Sequence, residues 1–243
     1  MSTTYEIINS QVIFVYERSA GIRKRQFEFE DSLNTHFRVP FSNFAVADDQ
    51  DGNIPRFEGV SAHGFSRIQV SQYRTNLITN FNGEFRTDVG KVSDYLSERI
   101  PLLKKLLQEE ENRFSAFIIE LGFKFETEEE INEVLKVNTG VHAINNETND
   151  FSLSYSQPYK EDYFLNIKCS KYTEGKFKMV DGQLIPDGEE TTRGISVILD
   201  INSKLSHRNK KGYGVEIIDS LEKETFDILT ANELKDYLKG DIK

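Results

Sequence analysis

The chain has 243 residues, of which 40 are acidic and 30 are basic, so its formal net charge is −10. A general nucleic-acid surface or an anionic-membrane surface needs clustered Lys and Arg, so we do not expect either partner. The only cysteine is Cys169, which excludes an intrachain disulfide and a closed cysteine-based zinc site.

The amino terminus lacks a charged segment followed by an apolar run, so it does not resemble a signal peptide. No apolar stretch approaches the roughly 20 residues that a membrane-spanning helix needs. We therefore expect a cytoplasmic protein in a reducing compartment, with no membrane association.

The first part of the chain shows short strands followed by a helix. β-Branched and aromatic residues over 11–17 predict a strand, and the alternation over 22–29 predicts its hairpin partner. Residues 56–74 predict two strands joined by a turn at His63-Gly64, with the second strand continuing toward residue 81. An apolar stripe over 91–108 predicts a helix that kinks or breaks at Pro101.

The clearest strand lies in the middle of the chain. Its large apolar side chains, Phe117, Ile119, Leu121 and Phe123, alternate strictly with other residues, which predicts one buried face. A capping box from Thr127 to Glu130 then predicts the start of a short helix.

The second part repeats this order of elements. Alternating residues predict strands over 151–155, 163–169 and 195–201, and Asp181-Gly182 predicts a hairpin turn. Residues 206–212 predict a basic loop, and residues 215–229 predict the last long helix. A second capping box over 230–233 predicts another short helix.

Strands and helices occur in blocks without a regular β-α-β alternation, which predicts an antiparallel α+β protein. We expect antiparallel sheets that are each packed by a long helix, and one arrangement with these elements is two sheet-plus-helix halves in a pseudo-repeat. The halves would be residues 1–126 and 127–243, packed as one body.

Three stretches carry a resemblance to a known family. They are the hairpin from Pro55 to Arg74, the strand from Gly194 to Ile201, and the segment from Leu221 to Leu234. In this order and spacing they resemble a sporadically distributed family of bacterial proteins of similar length and uncharacterised function. The family pattern includes a tryptophan in the aromatic-rich segment after the first sheet, whereas this chain has none. The patchy distribution implies an accessory role, such as one in bacterial defence or toxin–antitoxin loci.

Polar residues of the predicted strand over 65–74 form a candidate ligand site. Arg67 and Gln69 share one face in a period of two, and Arg74 falls on the other face. Arginine and glutamine side chains on a concave sheet could bind a carboxylate or a phosphate. The alternative is the solvent-facing side of an antiparallel sheet.

A metal-dependent nuclease or hydrolase needs paired carboxylates near a lysine. The arrangement that the sequence offers is Asp200, Asp181 and Asp162 with Lys168. The four histidines show no i, i+3 or i, i+4 pair, so a helical histidine metal site is excluded. Cys169 shares the apolar face of its strand, which predicts a core residue without nucleophilic activity.

The sequence carries neither a Walker loop nor a dinucleotide-binding glycine pattern, and we expect no cofactor and no resident metal. The expected function is a non-enzymatic interaction or scaffold protein that acts through a protein partner or through self-association, for example as a homodimer. The alternatives are the hydrolase above and a sensor of a small anionic ligand.

Overall fold

A computed structural model describes residues 4–145, 147–148, 150–180 and 183–243, with the backbone alone described for residues 176–180 and 183–191. Its strands follow one another along the chain with helices between them. They are β1 (Tyr5–Tyr16), β2 (Ser42–Asn43), β3 (Phe57–Val60), β4 (Ser66–Val70), β5 (Arg74–Asn80), β6 (Asn112–Phe125), β7 (Ser152–Tyr159), β8 (Tyr163–Val180) and β9 (Gln183–Asn202).

The helices fall between β1 and β2, on both sides of β6, and after β9. They are α1 (Gln26–Leu33), α2 (Val89–Ser97), α3 (Ile100–Leu107), α4 (Glu128–Thr139), α5 (Lys204–Arg208), α6 (Ile217–Ala231) and α7 (Leu234–Lys239). Two 3-10 helices, Ile22–Arg25 and Gly83–Thr87, precede α1 and α2.

The strands form one antiparallel sheet of nine strands in the described chain, in the order β2-β3-β4-β5-β1-β6-β9-β8-β7. This confirms an antiparallel α+β protein. Residues 1–126 and 127–243 share the sheet, because β6 pairs with β9 from Ala116 to Phe125. One sheet therefore stands where separate sheets were expected, and the pseudo-repeat stays a prediction.

The two faces of the sheet have different environments. Directly paired residues of antiparallel strands point to the same side, so one row of pairs identifies each face. The row Leu77, Val12, Phe117, Ile201 and Leu165 crosses five strands and is buried at every position. We call this side the helix face, and the opposite side the open face.

Helices α6 and α7 cover the helix face at its centre and toward β8. The ring of Phe226 on α6 packs edge-to-face on Phe117 at 5.9 Å, and the ring of Tyr237 on α7 lies 6.3 Å from Phe123. Burying such rings stabilises the fold through apolar area as well as through their packing geometry. The prediction that Phe117, Ile119, Leu121 and Phe123 are buried is confirmed.

Residues 22–29 are helical, so the prediction of a hairpin strand there is wrong. The apolar residues that are buried in this region, Ile22, Phe29 and Leu33, follow helical spacing. The alternation that suggested a strand depended on Phe27, whose side chain is 76% exposed. Tertiary packing selected the period of 3.6 because only that period brings the buried residues to one side.

The strand after the His63-Gly64 turn is shorter than predicted. The turn itself is confirmed, and Gly64 has a φ of +77°, which a glycine adopts without steric cost. The chain then reverses a second time at residues 71–73 and returns as β5. Within this second turn the Ser71 amide donates to the Arg74 carbonyl, so the pattern over 65–81 belongs to two antiparallel strands.

The helix signals gave a mixed outcome. The predicted helix over 91–108 is broken into α2 and α3 just before Pro101, as expected. The capping box of Thr127 and Glu130 is present at the start of α4. At α7, however, the box is formed by Glu233 and Asp236, and Thr230 instead donates to carbonyls within α6. Part of the predicted basic loop over 206–212 also belongs to α5.

In the part of the chain that the structure describes, we find no helix with the length and apolar character that crossing a membrane would require.

We expect Phe117→Ala to destabilise the protein by about 3–5 kcal/mol, because it removes a ring from the centre of the helix face. Urea denaturation measures this change. The matched control is Phe27→Ala, which removes an exposed ring from α1 and should alter the free energy of unfolding by about 0.5 kcal/mol or less. Equal losses in both variants would contradict the assignment of the helix face.

Candidate functional site

The open face carries a continuous apolar band. Four neighbouring strands contribute one isoleucine each. Every isoleucine after the first lies two residues along its own strand from the residue that pairs directly with the preceding isoleucine. Diagonal neighbours of this kind are about 7–8 Å apart and remain within reach of long side chains. We call this set the isoleucine band; in order from β5 to β9 it consists of Ile78, Ile13, Ile118 and Ile198.

A basic residue ends the isoleucine band on each side. Arg67 of β4 pairs directly with Ile78, and Lys168 of β8 pairs directly with Ile198. From β4 to β8 the band crosses five strand spacings, or about 24 Å. A third basic residue, Arg74, pairs with Val15 and lies on the same face.

The carboxylates of the open face accept hydrogen bonds from neighbouring polar side chains. Gln69 donates to Glu58 at 2.7 Å, and Asn9 together with Ser196 donates to Glu120. Asp200 accepts from Asn166 at 2.8 Å and from Asn202 at 3.0 Å. Neutral amides and a hydroxyl therefore satisfy these three carboxylates.

Three basic groups on this face have no such partners, whereas Lys124 is paired with Glu6. Within the described residues, the side chains of Arg67, Arg74 and Lys168 make no hydrogen bond or ion pair, and all three are exposed. The open face thus presents uncommitted positive charge although the whole chain is acidic. Acidic groups of another molecule could therefore form ion pairs with these three cations without displacing an existing bond.

Asn76 adds an unused hydrogen-bond acceptor between the two arginines. Its side chain is only 8% exposed, and its Oδ1 has no partner among the described atoms. Asn76 pairs with Ile13 on one side and with Gln69 on the other, so it lies beside the isoleucine band. A buried amide oxygen without a donor is unfavourable, and an incoming N–H group would satisfy it.

A depression of about 430 Å³ lies at the Lys168 end of the isoleucine band. Its walls include Ile118, Ile198, Asn166, Lys168 and Asp200. The open face is therefore concave at this end and combines apolar walls with one free ammonium group.

A second cleft, of about 570 Å³, lies between the sheet and helices α4, α6 and α7. Its charged residues are engaged with other charges: Arg86 donates to Glu174 at 3.0 Å, and Lys235 lies 3.0 Å from Glu233. Apolar side chains such as Phe123 and Leu234 form much of the remaining wall. The cleft offers fewer free polar groups than the open face does.

The structure brings the predicted ligand residues Arg67, Gln69 and Arg74 together on the open face. Sequence periodicity had placed Arg74 on the opposite side, because an unbroken strand was assumed. The turn at residues 71–73 reverses the chain and returns Arg74 to the face of Arg67. Gln69 is already bonded to Glu58, so the two arginines are the free members of this set.

The predicted metal-binding residues are only partly brought together. Asp200 and Lys168 line the same depression. Asp162 lies just before β8 and four residues from Asn166 of that depression, which is a distance of about 13 Å along an extended strand. Asp162 accepts from Lys211 at 2.6 Å and from Tyr213 at 2.7 Å, and these hydrogen bonds lower its pKa. Asp181 lies outside the described residues. Among those described, no group of three His, Cys, Asp or Glu residues is arranged to hold a metal ion.

Sequence reasoning missed the isoleucine band, although a signal was present. The segments Phe117-Ile118-Ile119 and Val197-Ile198-Leu199 are continuously apolar, so both faces of these strands carry apolar side chains. Antiparallel strands with one solvated face are instead expected to alternate apolar and polar residues. The sequence therefore carried a signal that the second face of the sheet is also apolar.

Cys169 lies in the core and is confirmed as a buried residue. Its side chain is fully inaccessible, and its thiol faces the Tyr237 carbonyl at 3.8 Å. Burial raises the pKa of Cys169 to about 12. This thiol lacks the exposed, electropositive surroundings of a reactive cysteine.

We expect Cys169 to react with a thiol reagent at pH 8 only when the protein unfolds, because the thiolate is both disfavoured and shielded. The measurement compares labelling rates in native buffer and in denaturant. A fast native reaction would contradict this placement. As a positive control, Ser220→Cys introduces a thiol at an exposed position on α6 and should be labelled rapidly in the folded protein.

Glu222 on α6 is a half-buried carboxyl group. Desolvation by burial, with repulsion from Asp219, raises its pKa to about 7, and the positive charge of Lys104 partly offsets this shift. The ordinary pKa is near 4.5. Between these values the unfolded chain loses a proton that the folded chain retains, so this group lowers stability as pH rises through that window.

We therefore expect Glu222→Gln to raise Tm by about 2–4 °C at pH 8, as a gain of about 1 kcal/mol does in a chain of this size. The gain should vanish below about pH 4.5, where the carboxyl group is neutral in both states. Thermal denaturation across this pH range tests the effect. Glu133→Gln, at an exposed position on α4, is the control and should show no such pH-dependent gain.

No protein-family model matches the chain, and no curated protein matches its sequence. Among solved structures, the chain is similar at 9% identity and a TM-score of 0.29 to the duplicated taurocyamine kinase from Schistosoma mansoni with bound transition-state analogue components. The similarity covers 94% of this chain and 34% of the kinase chain, so this chain spans about a third of the kinase's length. A likeness at this TM-score carries no argument about the fold or the function of this protein.

Proposed function

We propose that the protein is a non-enzymatic interaction protein whose open face docks a protein partner. The partner presents acidic side chains around an apolar patch. The observation that carries this proposal is the isoleucine band with uncommitted cations at both ends. Four half-buried isoleucines cross four strands, and Arg67 and Lys168 end the row.

The apolar part of this surface supports association with a macromolecule. An interface centre is more apolar than its rim, and the isoleucine band has this arrangement, with charged groups at its ends. A band of about 24 Å matches the scale of a protein surface better than that of a small anion. Exposed apolar patches rimmed by polar groups mark interaction surfaces in soluble proteins.

The charged part defines the partner. The acidic groups of the open face already accept hydrogen bonds from Gln69, Asn166 and other residues of this chain, so basic groups of a partner would compete with these bonds. The described chain instead provides no hydrogen-bond acceptor for the side chains of Arg67, Arg74 and Lys168. The Oδ1 atom of Asn76 has no hydrogen-bond donor. The backbone amides of a polypeptide partner could supply one. Acidic side chains and backbone N–H groups occur together in a protein.

The depression at Asp200 provides the second candidate function, the metal-dependent hydrolase. Lys168 and Asp200 share its wall. Both oxygens of Asp200 accept from Asn166 and Asn202, and a metal would have to displace these amides. The bonded carboxylate of Asp200 therefore favours docking over hydrolysis.

The sensor of a small anion would use the same arginines, without a role for the isoleucine band. The accessory role in defence or toxin–antitoxin loci stays a prediction.

The experiment replaces both free arginines in the variant Arg67→Glu/Arg74→Glu. We expect this variant to lose the acidic partner by about tenfold or more in affinity, because repulsion replaces attraction across the interface. Tagged wild-type and variant proteins are compared by capture from an extract of the source cell. The captured partner is then purified and titrated by calorimetry at two salt concentrations. Wild-type binding should weaken at high salt.

The matched control is Lys105→Glu/Lys223→Glu, which changes the net charge equally at exposed helix positions away from the open face. It should retain the partner. Equal loss in both double variants would indicate a general charge effect and would contradict docking on the open face. Cleavage of nucleic acid with Mg²⁺ or Mn²⁺ that disappears in Asp200→Ala would favour the hydrolase instead.

A further inference from the structure

The two edges of the sheet are unequal. One edge ends in β2, which is only two residues long and therefore offers little backbone for pairing. The other edge ends in β7, which has eight residues and pairs with β8 along its whole length. A strand edge of that length exposes a row of backbone donors and acceptors that can accept another strand.

The register identifies which groups of β7 point outward. The Lys171 amide donates to the Phe151 carbonyl at 3.1 Å, so Phe151 and every second residue after it direct their backbone groups toward β8. The backbone N–H and C=O groups of Ser152, Ser154 and Ser156 therefore point away from the sheet. In the described chain no backbone hydrogen bond outside the β7–β8 ladder involves these three serines, and their residues are exposed.

The usual protections of a free edge are missing along this stretch. Natural edges are blunted by charged side chains, prolines, bulges or short length. From Phe151 to Tyr159 the chain contains no charged residue, and the pairing of β7 with β8 is uninterrupted from Ser152 to Tyr159. Its proline, Pro158, occupies an outward position beyond the three serines, where an edge strand tolerates the missing N–H group.

We propose that β7 pairs with β7 of a second copy of this chain, in antiparallel register about a two-fold axis at Ser154. Ser154 would then face Ser154 of the partner subunit, and Ser152 would face Ser156 of the partner subunit. Three hydrogen-bonded pairs of this kind provide up to about six backbone hydrogen bonds. The serine side chains are small and uncharged, so the two-fold axis brings no like charges together.

Side chains on the helix face complete the contact. In this register Leu153 faces Tyr155 of the partner subunit, and the two-fold axis repeats the pair. Both residues are half-buried in the single chain, and Tyr155 is held by Tyr237 through its hydroxyl group. The pairs lie at non-hydrogen-bonded positions, where side chains come closest. Aromatic and aliphatic pairs across strands add stability to the backbone ladder.

This dimer joins two copies of the sheet into one continuous sheet. The contact uses the β7 edge, whereas the proposed partner docks on the face that carries Arg67 and Arg74. The two proposals rest on different observations, and the Arg67→Glu/Arg74→Glu variant leaves β7 unchanged. Ser154 pairs with Lys168 and lines the depression at that end of the open face, so the dimer is tested on the purified chain without the partner.

The experiment exploits the two-fold position of Ser154 in the full chain. Ser154→Lys and Ser154→Glu each place like charges opposite one another, so each variant alone should lose dimer affinity by about tenfold or more. Mixing the two variants places opposite charges at the axis and should restore the dimer. Sedimentation velocity over a concentration series measures the oligomeric state of the wild type, of each variant and of the mixture.

Ser220→Lys and Ser220→Glu provide the matched control, since Ser220 is exposed on α6. These variants should remain dimers, alone and mixed. The proposal is supported by a dimeric wild type, monomeric Ser154 variants and a dimer in their mixture. It is overturned if the wild type is monomeric up to its solubility limit, which would leave the edge to a strand from another protein. It is also overturned if the Ser154 variants remain dimeric, or if their mixture stays monomeric.

Discussion

The burial of a single face of the sheet is the constraint on which the rest of this structure depends. Phe117, Phe123 and their neighbours pack beneath α6 and α7, and this contact places the large rings on one side. Because strand side chains alternate, burying one set directs the other set outward. Packing the rings into the core thus determines which side chains lie on the open face. The isoleucines of that face lie opposite the core rings and do not pack against them.

Some arginines of this chain hold a loop in place, whereas others lie exposed on the open face. Arg56 is fully buried, and its guanidinium donates to the carbonyls of Ile54, Asp51 and Gln50, so it holds the acidic loop before β3 in place. Buried cations need such partners. Arg67 and Arg74 are exposed and make no hydrogen bond or ion pair within the described chain, so their N–H groups remain open to solvent.

The face and the edge of the sheet offer different kinds of contact. The open face combines apolar side chains with uncommitted charge, which suits recognition of a distinct partner through side chains. The β7 edge offers backbone groups and three serines, which suits pairing with an identical strand. A dimer through the edge would present two open faces, so each assembly could hold two copies of the partner.

The sequence by itself determined the antiparallel α+β class, the buried face of β6, the break at Pro101 and the core position of Cys169. Each of these depends on local periodicity or on backbone chemistry that one segment contains. Only the tertiary structure decided that residues 22–29 are helical, since the choice between two periods depended on what Phe29 and Leu33 could pack against. Tertiary structure also placed Arg74 beside Arg67 and aligned Ile78, Ile13, Ile118 and Ile198, because register between distant strands is not encoded in any one strand. The predicted residues Arg67, Arg74, Lys168 and Asp200 came from sequence, but their common face came from the order of the strands.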